Sequence, residues 1–78
     1  MSEKHAHYLR DLGHQVRQAA LEAKTDVASA AEADREFQEG RRMAYYEVVS
    51  LMRAQALAFG IPLHDLALDG FDPDRDLL

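Results

Sequence analysis

The chain has 78 residues, a formal net charge of −5 and no cysteine. This length provides one domain, the absence of cysteine excludes disulfides and thiolate metal sites, and the acidic charge disfavours nucleic acid as the main partner. Only four valines, one isoleucine and one threonine are β-branched, which favours an all-α fold over a sheet. No apolar run is long enough to span a membrane and the sequence MSEKHAHYLR contains no signal-peptide core, so we expect a cytoplasmic protein without a membrane partner. Its small size suggests a bacterial origin.

The first predicted helix covers about residues 3–24. Ser2 can cap its N-terminus, and Glu3 in the first turn suits the helix dipole. Apolar residues then recur every three or four positions, which places them on one face of an amphipathic helix. This stripe consists of Leu9, Leu12, Val16, Ala20, Ala23 and Val27.

The turn between the two long helices is predicted near residues 25–29. Ser29 and Glu32 have the spacing of a capping box, and turn-favouring residues precede them. Because neither Gly nor Pro separates the helices, the alternative is one uninterrupted helix over residues 3–59 in an elongated coiled coil.

Two glycines occupy the interiors of the predicted helices. Each costs about 1 kcal/mol relative to alanine, so a structural reason for them is expected. An antiparallel hairpin that turns near residue 26 brings Gly13 opposite Gly40. We therefore expect the two glycines to meet at one close crossing of the helices.

The second helix is predicted over about residues 29–59. Gly60 suits the left-handed position after a helix, and Pro62 cannot continue it. The stripe expected to pack against the first helix consists of Ala30, Ala33, Phe37, Ala44, Val48, Leu51, Gln55 and Phe59.

The C-terminal part is predicted to contain one more short element. Pro62 can open a third helix over about residues 62–68, which completes a helical hairpin domain over residues 1–69. Residues 70–78 contain too many like charges to fold alone and are expected to form an extended acidic tail.

The second helix is predicted to outrun the first, so that residues 51–59 overhang. Its apolar arc is also wider than one neighbouring helix can cover, and a two-helix hairpin has a thin core. We therefore expect a homodimer that resembles a four-helix bundle. The candidate interface residues are Tyr45, Val48, Val49, Met52, Gln55 and Phe59, among which Gln55 can fix the register.

Arginine and tyrosine cluster on a flank of the second helix and form a candidate contact surface. These side chains often anchor protein interfaces. The four residues, Arg41, Arg42, Tyr46 and Arg53, are expected to contact an unidentified protein partner or the acidic tail. In the second case Phe71, Leu77 and Leu78 dock in an apolar groove, and the tail aspartates face Arg41 and Arg42.

A candidate metal site lies on the first helix. His7, Asp11 and His14 are spaced i, i+4 and i+7, which places two imidazoles and a carboxylate on one helix face. A polar, solvent-facing side of the helix explains the same pattern, and we expect no cofactor. A His/Asp metal protein is one alternative function.

The corner after the second helix resembles a known DNA-binding motif. Residues 56–66, ALAFGIPLHDL, are similar to the helix–Gly–Ile–helix run of bacterial repressor-type domains, which implies a helix-turn-helix regulator as another alternative. The second helix of this corner offers His64, Asp65 and Asp69, whose charge is wrong for DNA, so we expect a structural corner.

Catalytic motifs are missing from the sequence. There is no G-x-S-x-G, no Gly-rich phosphate loop and no Ser–His–Asp pattern. We therefore expect a non-catalytic interaction or regulatory protein that acts as an all-α, homodimeric helical bundle.

Overall fold

The computed structural model describes residues 2–78. Helix α1 covers Glu3–Ser29 and helix α2 covers Glu32–Ala58, followed by a 3-10 helix at Leu63–Leu66 and a short helix α3 at Pro73–Asp76. The helices α1 and α2 pack against each other as an antiparallel hairpin. The all-α fold and the hairpin are therefore confirmed, and the uninterrupted helix is wrong. No helix among the described residues is both long and apolar enough to cross a bilayer.

Capping explains the first end of α1. The Ser2 hydroxyl accepts a hydrogen bond from the backbone N–H of His5 at 3.3 Å, as predicted. The last turn of α1 behaves differently, because the Ser29 hydroxyl donates to the Thr25 carbonyl at 3.2 Å instead of capping α2. A hydroxyl that bonds back to the i−4 carbonyl lets serine stay inside a helix.

The turn therefore lies later than predicted. Ala30 and Ala31 adopt extended backbone conformations, and α2 begins at Glu32 without a side-chain cap. The predicted capping box at Ser29 is wrong. Both helices contain 27 residues, so the overhang predicted for residues 51–59 is wrong as well.

The two glycines do not meet. A Cβ on Gly13 would lie 1.7 Å from the carbonyl oxygen of Leu66, whereas a Cβ on Gly40 would find no atom within 4 Å. The predicted glycine crossing is wrong, because the later turn shifts the register and the 3-10 helix packs on α1 at Gly13. Only Gly13 therefore has a packing reason to be glycine.

The end of α2 follows the sequence prediction. Gly60 has φ of +67°, its N–H donates to the Leu57 carbonyl, and the N–H of Ile61 donates to the Ala56 carbonyl at 2.8 Å. This pair of bonds is a Schellman motif, which satisfies carbonyls that a helix end leaves free. The next element is shorter than the predicted helix over residues 62–68, because Ala67 adopts the left-handed conformation with φ of 55°.

Residues 70–78 fold back on the hairpin instead of forming an extended tail. Asp72 caps α3 by accepting the N–H of Asp74, and Pro73 starts the helix. Phe71 and Leu77 are almost fully buried, while Leu78 stays half exposed. The extended conformation was predicted from the local charge, but burial of these two side chains on a preformed hairpin outweighs that charge.

Candidate functional site

The hairpin has one covered face and one open face. Its buried core comprises Ala20, Val49, Ala56, Leu66, Leu68, Phe71 and Leu77. Four of these residues come from the segment after α2, so residues 61–78, here called the C-terminal segment, supply much of the apolar surface that covers one side of the helices.

Arg17 of α1 holds the C-terminal segment in place. Its guanidinium donates to the carbonyl oxygens of Ala67 at 3.1 Å and Asp69 at 3.0 Å. The same guanidinium lies 4.9 Å from the centre of the Phe71 ring, within cation–π range. This role of Arg17 was not predicted, since nothing local in the sequence relates Arg17 to residues 50 positions later.

Two members of the arginine–tyrosine cluster contact the C-terminal segment from α2. The Tyr46 hydroxyl donates a hydrogen bond to an Asp74 carboxylate oxygen. This bond, together with burial and the negative charge of Asp74, raises the pKa of Tyr46 above its usual value. Arg53 forms an ion pair with Asp72 at 3.9 Å.

The other two arginines do not meet the tail aspartates. Arg41 forms an ion pair with Asp26 of α1 at 2.9 Å and lies over the Tyr45 ring at 5.6 Å. Arg42 is half-buried and has no ion pair within residues 2–78. The predicted docking of the tail aspartates at Arg41 and Arg42 is therefore wrong, because the aspartates meet Tyr46 and Arg53 instead.

The α2 stripe that was expected in the core lies on the surface. Phe37 is 71% exposed, Leu51 61% and Phe59 76%. The helix is rotated so that Val49 and Ala56 are buried instead. The C-terminal segment explains this rotation. Its large apolar side chains pack on the flank of α2 that carries Val49 and Ala56, so this flank is buried instead of the predicted stripe.

Helix α1 contributes exposed apolar side chains next to this stripe. Leu12 is 42% exposed, and Tyr8, one turn earlier, is 67% exposed. We call the combined surface the open face. It consists of Tyr8, Leu12, Phe37, Ala44, Val48, Leu51, Gln55 and Phe59.

A groove of about 490 Å³ runs between the two helices on the open face. Leu66 lies at its base, and Gln55 is the only polar side chain among the described residues that line it. The lining residues are Leu9, Leu12, Val16, Val48, Leu51, Met52, Gln55, Ala56, Phe59, Ile61 and Leu66. Such a lining suits the burial of apolar groups and offers no acid, base or nucleophile.

The predicted interface residues fall into two groups. Val48, Gln55 and Phe59 are exposed on the open face, and Tyr45 and Met52 are half-buried at its edge. Val49 is fully buried in the core, so in this fold it does not contact a second molecule. Phe37 and Leu51 were predicted to pack against α1 but are exposed, because periodicity identifies an apolar face without showing what covers it.

The histidine pattern on α1 does not form a metal centre. His7, Asp11 and His14 line a shallow depression beside Arg10 and Ala67. Throughout residues 2–78, no group of three His, Asp or Glu side chains is arranged to hold a metal ion. Seven residues of helix separate the two histidines by about 10 Å along the axis, which is too far for one ion with bonds near 2 Å. The described residues therefore show no metal-binding arrangement, and the site stays a prediction from the sequence.

The corner at residues 56–66 does not present a recognition helix. Its second element is a four-residue 3-10 helix, and Leu66 is buried against α1. A helix-turn-helix domain needs a helix long enough to lie in the major groove. The corner instead positions Leu66 over Gly13.

Comparisons with protein-family models, with curated proteins and with solved structures found no match to this chain.

Proposed function

We propose that the protein is a non-catalytic interaction protein of the bacterial cytoplasm that acts as a homodimer. In this proposal two hairpins bury their open faces against each other and form a four-helix bundle. The observation that supports it is the exposed, largely apolar stripe along α2, which the C-terminal segment leaves uncovered.

The size of the open face matches what a dimer requires. Its six large exposed apolar side chains are 42–76% exposed. If a fully exposed large side chain presents about 150–250 Å², they offer roughly 500–900 Å² in total. Stable interfaces bury about 800 Å² on each partner, and monomeric proteins rarely expose a contiguous apolar patch larger than about 300–600 Å².

The composition of the face also favours packing between helices. From Ala44 to Phe59 its α2 members recur at three- and four-residue spacing, which forms a ridge along the helix. Arg41 continues this ridge towards Phe37, and Gln55 lies within it, as polar residues do in bundles where they specify register. The groove carries no ionisable side chain among the described lining residues, which suits packing better than chemistry.

Sedimentation equilibrium at micromolar concentration tests the proposal. We expect the native chain to sediment as a dimer and the Leu51→Glu variant as a monomer, because the new carboxylate would be buried in the interface. The matched control is Leu57→Glu. Leu57 is 84% exposed but lies on the other side of α2, so this variant is expected to dimerise like the native chain.

Both substitutions replace an exposed leucine by a residue with good helix propensity, so neither should unfold the monomer. Circular dichroism confirms this before sedimentation. A native chain that stays monomeric at micromolar concentration would refute the proposal. Equal dimerisation of the two variants would show that the dimer uses another face.

A further inference from the structure

We infer that the two copies pack antiparallel through α2, with the two-fold axis passing close to Val48. This inference rests on the homodimer proposed above and adds the orientation of the second copy and the residues that it contributes. It follows from the arrangement of side chains along the open face and from the distribution of charge along the hairpin.

The exposed ridge of α2 is nearly symmetric about Val48. Phe37 and Phe59 are equally far from Val48 in sequence, and so are Arg41 and Gln55. An antiparallel pair centred on Val48 therefore brings each Phe37 to the partner's Phe59. Both phenylalanines are more than two-thirds exposed, so this contact buries the two largest apolar surfaces at each end of the face.

The same register pairs the polar groups on the ridge. Arg41 lies opposite the partner's Gln55, whose amide oxygen is a hydrogen-bond acceptor. The Arg41 guanidinium carries five N–H groups, one of which donates a hydrogen bond to the Asp26 carboxylate at 2.9 Å. A contact between Arg41 and the partner's Gln55 would thus satisfy a buried amide and leave the Arg41–Asp26 ion pair in place.

The same residues disfavour a parallel arrangement of the two α2 helices. It places Arg41 against the partner's Arg41, and like charges at a shared contact are destabilising. It also places Ala44 against the partner's Ala44, which leaves a gap in the middle of the ridge. The antiparallel pair sets Ala44 near the partner's Leu51, so a small side chain meets a large one.

Charge along the hairpin favours the same orientation. Residues 25–40, which form the turn and its flanks, contain five Asp or Glu and one Arg, for a net charge of −4. With the axis at Val48, residues 25–40 lie opposite the partner's residues 56–71. The antiparallel arrangement therefore keeps the two acidic turns at opposite ends of the dimer, whereas a parallel pair would place them side by side.

Disulfide trapping tests the orientation directly, because the chain contains no cysteine of its own. Val48→Cys is expected to form a disulfide dimer, since the two positions meet at the axis. A mixture of the Phe37→Cys and Phe59→Cys chains is expected to give mainly the mixed dimer. Gln55→Cys alone is expected to give at least tenfold less disulfide than Val48→Cys under the same mild oxidation.

The outcomes separate this inference from the homodimer itself. Val48→Cys dimers accompanied by equally abundant Gln55→Cys dimers would overturn the antiparallel orientation and leave the homodimer standing. A native chain that sediments as a dimer but gives no disulfide at residue 48 would overturn the placement of the axis. A monomeric native chain with no trapping at any position would refute the homodimer, and this inference with it.

Discussion

The contact between Gly13 and Leu66 gives the sharpest prediction about the monomer. In Gly13→Ala, the added Cβ would lie 1.7 Å from the Leu66 carbonyl oxygen and 2.7 Å from its carbonyl carbon. Both atoms belong to the backbone of a buried residue, so no side-chain rotation relieves the clash. The 3-10 helix has to move away from α1 to accommodate the methyl group.

The size of the effect is a balance of two opposing contributions. Replacing a helical glycine by alanine stabilises a helix by about 1 kcal/mol. Overpacking costs about 1–3 kcal/mol and occasionally more, and the backbone clash at Gly13 places it at the upper end of that range. We therefore expect Gly13→Ala to lower the free energy of unfolding by about 2 kcal/mol, which corresponds to roughly 8–16 °C in Tm for a domain of this size.

Gly40→Ala is the matched control, because it makes the same chemical change in α2. A Cβ at Gly40 meets no atom within 4 Å, so only the gain in helix propensity applies. We expect its Tm to rise by about 4–8 °C. Thermal melts followed by circular dichroism at one fixed protein concentration compare the two variants, since the proposed dimerisation would make Tm depend on concentration. A Gly13→Ala variant at least as stable as Gly40→Ala would refute the close approach of the 3-10 helix.

Two further predictions concern the C-terminal segment. Leu77 is fully buried while its neighbour Leu78 is 53% exposed, so Leu77→Ala is expected to cost about 2–5 kcal/mol in urea unfolding and Leu78→Ala less than about 0.5 kcal/mol; equal effects would contradict docking of the segment. Hydrogen bonds from Arg75 and from the backbone N–H of Asp72 lower the pKa of Asp76 from 3.8 to about 2. Its contribution to stability is therefore complete above about pH 4 and is lost as the pH falls towards 2, so Asp76→Asn should flatten the pH dependence of unfolding in that window. An unchanged acid limb in this variant would show that the hydrogen bonds to Asp76 do not stabilise the fold.

Local signals in the sequence predicted the elements well. The Ser2 cap and the Schellman motif at Gly60 were both identified, since each depends on residues that are close in sequence. The turn was predicted too early because the hydroxyls of Thr25 and Ser29 can either form a turn or cap, or bond to the backbone within a helix. Both donate to the carbonyl four residues earlier and so remain helical.

Sequence periodicity did not predict which face of α2 is buried. Its apolar arc is wide, and periodicity identifies the arc without showing which part of it is covered. That choice depends on Leu68, at the end of the predicted third helix, and on Phe71 and Leu77, which come from residues predicted to form an extended tail. The stripe on the open face was therefore identified from the sequence, but its predicted burial against α1 was wrong.

The long-range attachment of the C-terminal segment has a consequence for the order of folding. Arg17 and Asp69 are joined by a hydrogen bond across 52 positions, whereas the hairpin brings α1 and α2 together through a two-residue turn. Contacts that close large loops form late, so we expect the hairpin to form first, with apolar side chains exposed on both of its sides. If the chain dimerises as proposed, a hairpin without its C-terminal segment would offer two apolar sides for pairing, and docking of Phe71 and Leu77 would leave only the open face. The C-terminal segment would then select the face used for assembly as well as complete the core.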